Sequence, residues 1–278
     1  MNGPILSIIT VNFNNNLGLL KTLESVSSQS FSSYEHIIID AGSTDGSRET
    51  IIQYEKENPH LSFWSSEPDK GIYDGMNKGI DHAKRQYLYF LNSGDCLSQD
   101  ILAKIPFDGT EYLYGDTILF YKRKTKKRVY PDTLDLIYLS DNSLHHQSCF
   151  IHHTLFKDKR YDINYKIISD WAHCFQCLII ENRTYRHLPY IISECDGRGI
   201  SSNGKELNQE RTLWFQNTFP ATQSKVFIDC AALDRSGFRD IIHILANTHK
   251  FKKRMKTLIL FLYKINNLFS YKHKRIKN

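Results

Sequence analysis

Polar side chains close three β-rich runs within the first 95 residues of this chain. Ser7-Ile8-Ile9-Thr10-Val11-Asn12 is the first, and Ile37-Ile38-Ile39-Asp40, followed by Ala41-Gly42-Ser43-Thr44-Asp45-Gly46-Ser47, is the second. The third is Tyr87-Leu88-Tyr89-Phe90-Leu91, which runs into Asn92-Ser93-Gly94-Asp95. In an open α/β sheet, ligands sit in the crevice outside the carboxyl ends of parallel strands, so these endings predict one shared site. Carboxylates gathered in one crevice repel each other unless a cation joins them, which points to a divalent metal and an anionic ligand. Asp40, after three β-branched residues and before a Gly-Ser turn, is placed to accept hydrogen bonds from a base or from ribose hydroxyls. Asp45 reads equally well as a helix-capping residue. Asp95, with Gly94 permitting close backbone approach, suits oxygen coordination of Mg²⁺ or Mn²⁺ between two phosphates; a surface turn is the competing reading.

The elements that must position these groups alternate. Strand patterns lie near residues 5–12, 36–40, 61–65 and 86–91, and helix patterns near 17–28, 47–57 and 73–84. Such alternation implies a three-layer α/β/α arrangement, Rossmann-like, around a mixed and mostly parallel sheet. Beyond Asp95 the regularity weakens. Residues 112–120 read as a strand pair interrupted at Gly115-Asp116, and 122–128 as a solvated basic hairpin. Residues 148–153 read as a strand, 168–180 as a helix, 185–192 as a strand and 197–204 as a flexible loop. Asp170 falls at the start of that helix, where it would serve as an N-cap.

Bulk properties exclude several classes. Hydrophobic residues make up 41% of the 278 residues and charged ones 24%, ordinary values for a globular chain with a sizeable core. The net charge of +6 is a property of the tail: residues 249–278 hold ten of the 36 Lys and Arg, which leaves 26 basic against 30 acidic side chains elsewhere. Six scattered cysteines include one close pair, Cys174 and Cys177, without a second pair to complete a zinc site. With no basic and apolar leader at the N-terminus, this pattern favours the reducing cytoplasm. In the tail, Phe251, Met255, Leu258, Leu262, Ile265 and Phe269 form one helical stripe with lysines mostly off it. A basic amphipathic helix of this kind lies on an anionic leaflet, or packs on the catalytic domain or a second subunit. Nucleic-acid binding ranks behind both, because the body is acidic and shows no recognised module.

Four ordered segments carry a family resemblance: Ser7 to Asn12, Asp40 to Ser47, Asp69-Lys70-Gly71-Ile72-Tyr73-Asp74-Gly75-Met76-Asn77-Lys78-Gly79, and Leu91 to Asp95. Tyr114-Gly115-Asp116, His146-Gln147-Ser148-Cys149-Phe150 and Ser169-Asp170-Trp171 extend it. Together they resemble family 2 glycosyltransferases, in particular the bacterial branch that builds exopolysaccharide, O-antigen and colanic-acid-type units. The resemblance covers roughly residues 5 to 200. It implies a GT-A fold, a nucleotide-diphosphate sugar donor, a Mn²⁺ or Mg²⁺ ion, a saccharide or lipid-linked saccharide acceptor, and usually inversion at the anomeric carbon. By the same resemblance, Thr10, Asn12, Asp40, Ser43, Asp45, Lys70, Asp74 and Asn92 line the donor site. Asp95 matches the last acid of a DXD-type metal motif, Asp170 the general base, and His146 contacts acceptor or phosphate, unless it is simply structural. Two departures stand out. Ser93 replaces the first acid of the metal motif, which leaves Asp95 and phosphate oxygens to hold the ion. Met76 stands where many relatives place Arg, so Lys70 or Lys78 would supply charge near the diphosphate.

The expected organisation is a GT-A domain over residues 1–215, with a nucleotide-sugar half to about 96 and an acceptor half from 97. A basic helical extension follows over 216–278. A cytoplasmic enzyme, peripheral on the inner face of the plasma membrane, is the expected whole. The rivals are a sugar nucleotidyltransferase, against which Asn12 to Asn16 lacks the Gly and Lys of a triphosphate loop, and a degenerate scaffold.

Overall fold

Seven elements alternate through the first ninety residues: β1 (Leu6–Asn12), α1 (Asn16–Ser27), β2 (Tyr34–Asp40), α2 (Ser47–Glu57), β3 (Leu61–Ser66), α3 (Ile72–His82) and β4 (Tyr87–Phe90). Each lies within two residues of its expected limits. The structure is a computed structural model that describes residues 5–199 and 203–237. Every residue of β1 and β2 is buried, which is why Ile8-Ile9 and Ile37 to Ile39 run apolar without alternation. They pair in parallel and in register, so Asn12 stands beside Asp40 and Ile9 beside Phe90 of β4.

The later elements are β5 (Cys96–Leu97), β6 (Tyr112–Tyr121), β7 (Lys124–Arg128), α4 (Leu136–Asp141), β8 (Cys149–His152), α5 (Ser169–Phe175), β9 (Tyr185–Asp196), α6 (Gly204–Thr218) and α7 (Ala221–Arg235). One sheet joins the strands in the order β3-β2-β1-β4-β8-β6-β9-β5, with β7 paired to β6. β8 runs antiparallel to both β4 and β6, and β9 is parallel to β6. Six strands therefore share one direction, while β5, β7 and β8 oppose it. Leu19 and Leu23 of α1, with Ile51 and Tyr54 of α2, cover Ile38 on one face. Tyr73 and Met76 of α3 cover Ile9, Val11, Ile37 and Ile39 on the other face, in one core that also takes in Trp171 and Phe175 of α5. The result is the expected three-layer α/β/α arrangement.

The second half corrects the sequence reading at two points. Residues 112–120 are not an interrupted pair but part of one ten-residue strand, β6. The irregularity lies across from it, where the register with β9 jumps from Gly115 opposite Leu188 to Asp116 opposite Ile191. Pro189 sits in the jump and has no N–H to give the ladder, so β9 bulges there. Gly115 makes room: a Cβ on it would meet Ile192 Cγ1 at 2.6 Å and the Tyr190 carbonyl at 2.8 Å. The helix expected over 168–180 is α-helical only to Phe175 and continues as a π turn over Gln176–Ile180. Cys174 and Cys177 on it are buried free thiols, and burial pushes Cys177 up to about 12.

Residue 215, the expected end of the GT-A domain, lies inside α6. Trp214 of α6 packs 5.2 Å from Trp171, Phe227 of α7 packs 5.4 Å from Phe175, and Arg211 stacks 4.8 Å over Trp171. Both helices thus belong to the main core up to Arg235, because their aromatic faces are buried against α5. The basic run folds as the exposed β6–β7 hairpin. The amphipathic stripe from Phe251 to Phe269, and the whole of 249–278, lie outside the described residues. Among the described residues no helix is long and apolar enough to cross a membrane.

Candidate active site

Parallel pairing brings the tips of β1, β2 and β4 to one edge of the sheet. Asn12 Nδ2 donates to Asp40 Oδ1 at 2.7 Å and to Ser43 Oγ at 3.2 Å. Asp40 also accepts from Ser43 Oγ at 2.5 Å, Ser43 N at 2.9 Å and Ser66 Oγ at 2.6 Å. Burial alone would raise this carboxyl, but the donors from Ser43, Ser66 and Asn12 outweigh it and hold it below the ordinary value. Asp40 is fully enclosed, with each oxygen taking two protein donors. A base or ribose could therefore reach it only by displacing one of them. Asn12 Oδ1, in contrast, is a buried acceptor without a donor. Asp45 accepts from Asn16 N at 2.7 Å and Ser47 Oγ at 2.6 Å, which ties the loop after β1 to the start of α2.

The tip of β4 leads into Asn92-Ser93-Gly94-Asp95. Gly94 has φ +100, a conformation costly for other residues, and its N–H bonds Thr22 Oγ1 at 2.9 Å. Asn15 Nδ2 bonds the Ser93 carbonyl at 2.8 Å, which joins this loop to the end of β1. Asp95 is 8% exposed and accepts from Gln147 Nε2 at 2.7 Å and Asp196 N at 3.2 Å. Both donors are neutral. Burial dominates and raises the carboxyl above its ordinary value.

Asp170 opens α5 and faces the same edge. Its Oδ1 accepts from Tyr73 Oη at 2.8 Å and from Trp171 N at 2.9 Å, and its Oδ2 accepts from His146 Nδ1 at 2.8 Å. The carboxylate can only accept, so His146 carries a proton on Nδ1, and Asn92 Nδ2 stands 3.0 Å from His146 Nε2. Burial works against ionisation of Asp170, yet the His146 and Tyr73 donors prevail and keep the carboxyl below its usual range. Oδ1 is fully engaged, while Oδ2 retains one lone pair, the one place on this carboxylate able to take a proton from an incoming hydroxyl.

The remaining predicted residues are dispersed around this core. Thr10 is wholly buried one pleat below Asn12, its hydroxyl 2.9 Å from His36 Nε2, and does not face the mouth. Asp74 caps the start of α3 by accepting from Lys70 N at 3.0 Å, and the Lys70 side chain is exposed. Lys78 is engaged with the Pro68 carbonyl at 3.4 Å and Glu67 at 3.8 Å. Asn92 Oδ1 is a second buried acceptor without a donor. Sequence reasoning missed Tyr73 and Gln147 as partners of the two acids, although both sit inside the motifs it singled out. Asp69, raised by burial and by the like charges of Asp74 and Asp40, is another member of the mouth it passed over.

With this geometry in place, comparison with known proteins defines the class. Residues 7–165 match the description "Glycosyl transferase family 2". This chain belongs to that family. An uncharacterized glycosyltransferase of Mycobacterium tuberculosis is 42% identical over 103 residues, covering 36% of this chain and 38% of the relative. The match thus spans well under half of that relative's length. A PGL/p-HBAD biosynthesis glycosyltransferase of Mycobacterium bovis is 27% identical over 211 residues, covering 73% of this chain and 81% of the relative. Among solved structures, S. aureus TarS 1–349 in complex with UDP aligns with a TM-score of 0.63 at 14% identity, covering 88% of this chain and 75% of TarS. The mannosyltransferase PcManGT of Pyrobaculum calidifontis, in complex with GDP-Man and Mn²⁺, aligns at 0.60 and 13% identity, covering 84% and 70%. These two likenesses establish the fold, which is GT-A as expected.

Proposed function

We propose that this chain is an inverting glycosyltransferase that moves a sugar from a nucleoside-diphosphate sugar to a saccharide acceptor carried on a lipid. The observation that carries this reading is the meeting, at one sheet edge, of the Asn12–Asp40–Ser43 cluster, a buried acid held by neutral donors and a second acid with one free lone pair. A relative named as a PGL/p-HBAD biosynthesis glycosyltransferase supports the reaction class, and neighbours solved with UDP and with GDP-Man support the donor class.

On this reading Asn12 Oδ1 and Asn92 Oδ1 offer acceptors to donor hydroxyls or base N–H groups, which would satisfy two otherwise orphaned buried atoms. Asp40 holds Asn12 and Ser43 in place. Lys70, exposed next to Asp69, would supply positive charge to the diphosphate. Asp170 Oδ2 removes the acceptor hydroxyl proton as that oxygen attacks the anomeric carbon. The new C–O bond forms opposite the breaking bond to phosphate, the nucleoside diphosphate departs with that electron pair, and the proton rests on Asp170. Asp95 fits a divalent cation, because its buried carboxylate has only neutral partners. No group of three metal-ligating acids, histidines or cysteines stands among the described residues, so phosphate oxygens would complete the ion's shell. When bound, the ion supplies positive charge to the departing diphosphate. The basic segment 249–278 would bring the enzyme to an anionic leaflet where a lipid-linked acceptor resides.

A panel of UDP-, GDP- and dTDP-sugars with Mn²⁺ and a lipid-linked saccharide acceptor tests this. Release of nucleoside diphosphate with an inverted product is the expected result. Release of pyrophosphate would make the chain a nucleotidyltransferase, and no turnover with any donor would leave it a scaffold.

A further inference from the structure

Two adjacent residues reach the two acids. His146 donates to Asp170 at 2.8 Å, and Gln147 donates to Asp95 at 2.7 Å. Both lie on a single 3-10 turn, His146–Ser148, just before β8. That turn is anchored from beneath: Tyr89 Oη donates to the Gln147 carbonyl at 2.5 Å, and Ser148 Oγ lies 2.7 Å from Ser193 Oγ of β9 and 3.2 Å from the Asp116 carbonyl of β6. Gln147 is 8% exposed and Ser148 is fully buried, so the turn is fixed by the sheet rather than by solvent.

We infer that the His146–Gln147 turn is the positioning element of this site, a two-residue bridge that fixes the general base and the metal-side acid relative to each other. The inference rests on the function proposed above and goes beyond it by assigning how the two halves are held in register. His146 does not touch the reacting atoms. Its imidazole, with a proton on Nδ1 and Asn92 beside Nε2, aims Asp170 and leaves the second lone pair of Oδ2 toward the acceptor. Gln147 does the same for Asp95 with an uncharged donor, which leaves the carboxylate's full charge for a cation. A lysine in either place would neutralise the acid it holds.

The ionisable groups facing Asp170 are His146 and His145 from the turn, Tyr73 from α3, Tyr161 from the loop before α5, Cys149 of β8 and Arg211 of α6. His173 and Cys174 share its helix. Only His146 and Tyr73 among these donate to it directly. Removal of His146 should therefore move Asp170's ionisation upward in pH, which a purely structural role would not do.

The test uses the full chain with the donor and acceptor found in the release screen. His146→Leu should lower kcat by about 10- to 100-fold with little change in KM, and shift the acid limb of the kcat profile up by about one pH unit. His146→Asn, whose Nδ2 falls near the lost Nδ1, should restore most of the rate and the original limb. Gln147→Leu, titrated with Mn²⁺ in the presence of the released nucleoside diphosphate by electron paramagnetic resonance, should bind the ion about tenfold more weakly than the parent. An unmoved acid limb in His146→Leu, no rescue by Asn, or unchanged Mn²⁺ affinity in Gln147→Leu overturns the inference. Asp170→Asn separates this from the reading beneath it. If that variant still turns over, the base assignment itself has failed; if it is dead, those three outcomes count against the bridge alone.

Discussion

Asn12 and Asp40 end neighbouring parallel strands at the same register, and a 2.7 Å hydrogen bond from Asn12 Nδ2 to Asp40 Oδ1 ties them together. The bond does more than close the sheet edge. It spends the donor end of the amide on protein, and so presents the carbonyl end as a buried acceptor. Asp40→Ala would free Asn12 and Ser43 together. Each hydrogen bond to a charged group contributes about 1.5–3 kcal/mol, so donor KM should rise by about 10- to 100-fold, with a smaller effect on kcat. Steady-state kinetics at varied donor concentration measures this, and a fall confined to kcat would place Asp40 elsewhere in the cycle.

Asp170 is the group the chemistry can least spare. Asp170→Asn keeps the volume and the contact with Tyr73 but cannot take a proton. Turnover should fall by about 10²- to 10⁴-fold while donor binding, followed by calorimetry, stays within about twofold. Comparable losses in both would mean that the residue holds the mouth open rather than acting on the acceptor.

Much of this arrangement is legible in the sequence, and the limits have physical causes. Ile37 to Ile39 can only be a central strand, and a polar residue ending such a run must stand at a sheet edge, so Asn12 and Asp40 were accessible to reading. Depth was not: Thr10 and Asn12 share a face, yet one pleat separates them by about 7 Å, enough to put Thr10 under cover beside His36. The bridge between the acids was hidden for another reason. Tyr73 and Asp170 lie 97 residues apart, and Gln147 and Asp95 52 apart. Nothing in local periodicity encodes pairs closed by β8 entering the sheet antiparallel. The break expected in β6 was real strain assigned to the wrong strand, since Gly115 yields space for a bulge that Pro189 causes on β9.

Asp95 sets stability against function. Its charge is buried among neutral donors, so Asp95→Asn removes a desolvation cost while leaving one N–H, from Gln147 or Asp196, facing an amide instead of an oxygen. The two effects oppose each other, and the ligand-free melting temperature should stay within about 2–4 °C of the parent, the shift expected for 1 kcal/mol in a chain of this size. The rise produced by Mn²⁺ with a nucleoside diphosphate should vanish. Thermal shift with and without both ligands decides it, and a persisting rise would place the ion away from Asp95.

His36 gives the fold an acid sensitivity separate from catalysis. It is fully buried between Thr10 Oγ1 at 2.9 Å and Tyr54 Oη at 3.0 Å, and burial, aided by His60, pushes it down to about 3. The unfolded chain takes up a proton at this residue below about pH 6.5, whereas the folded chain does not until about pH 3. Between those values the unfolded state binds more protons, so stability must fall as pH falls, and level off once the folded imidazole is charged too. One such group contributes a slope of up to about 1.4 kcal/mol per pH unit. His173, buried and pushed down to about 4, adds to the same window. Urea unfolding of the parent between pH 6.5 and 4.5 should therefore show a steep loss of stability. His36→Gln, which keeps an amide between Thr10 and Tyr54 but cannot be charged, should be less stable at neutral pH and lose about one proton's worth of that slope. An identical slope in the variant would mean that the imidazole is already protonated in the folded chain, in conflict with a site that offers it only two hydroxyls.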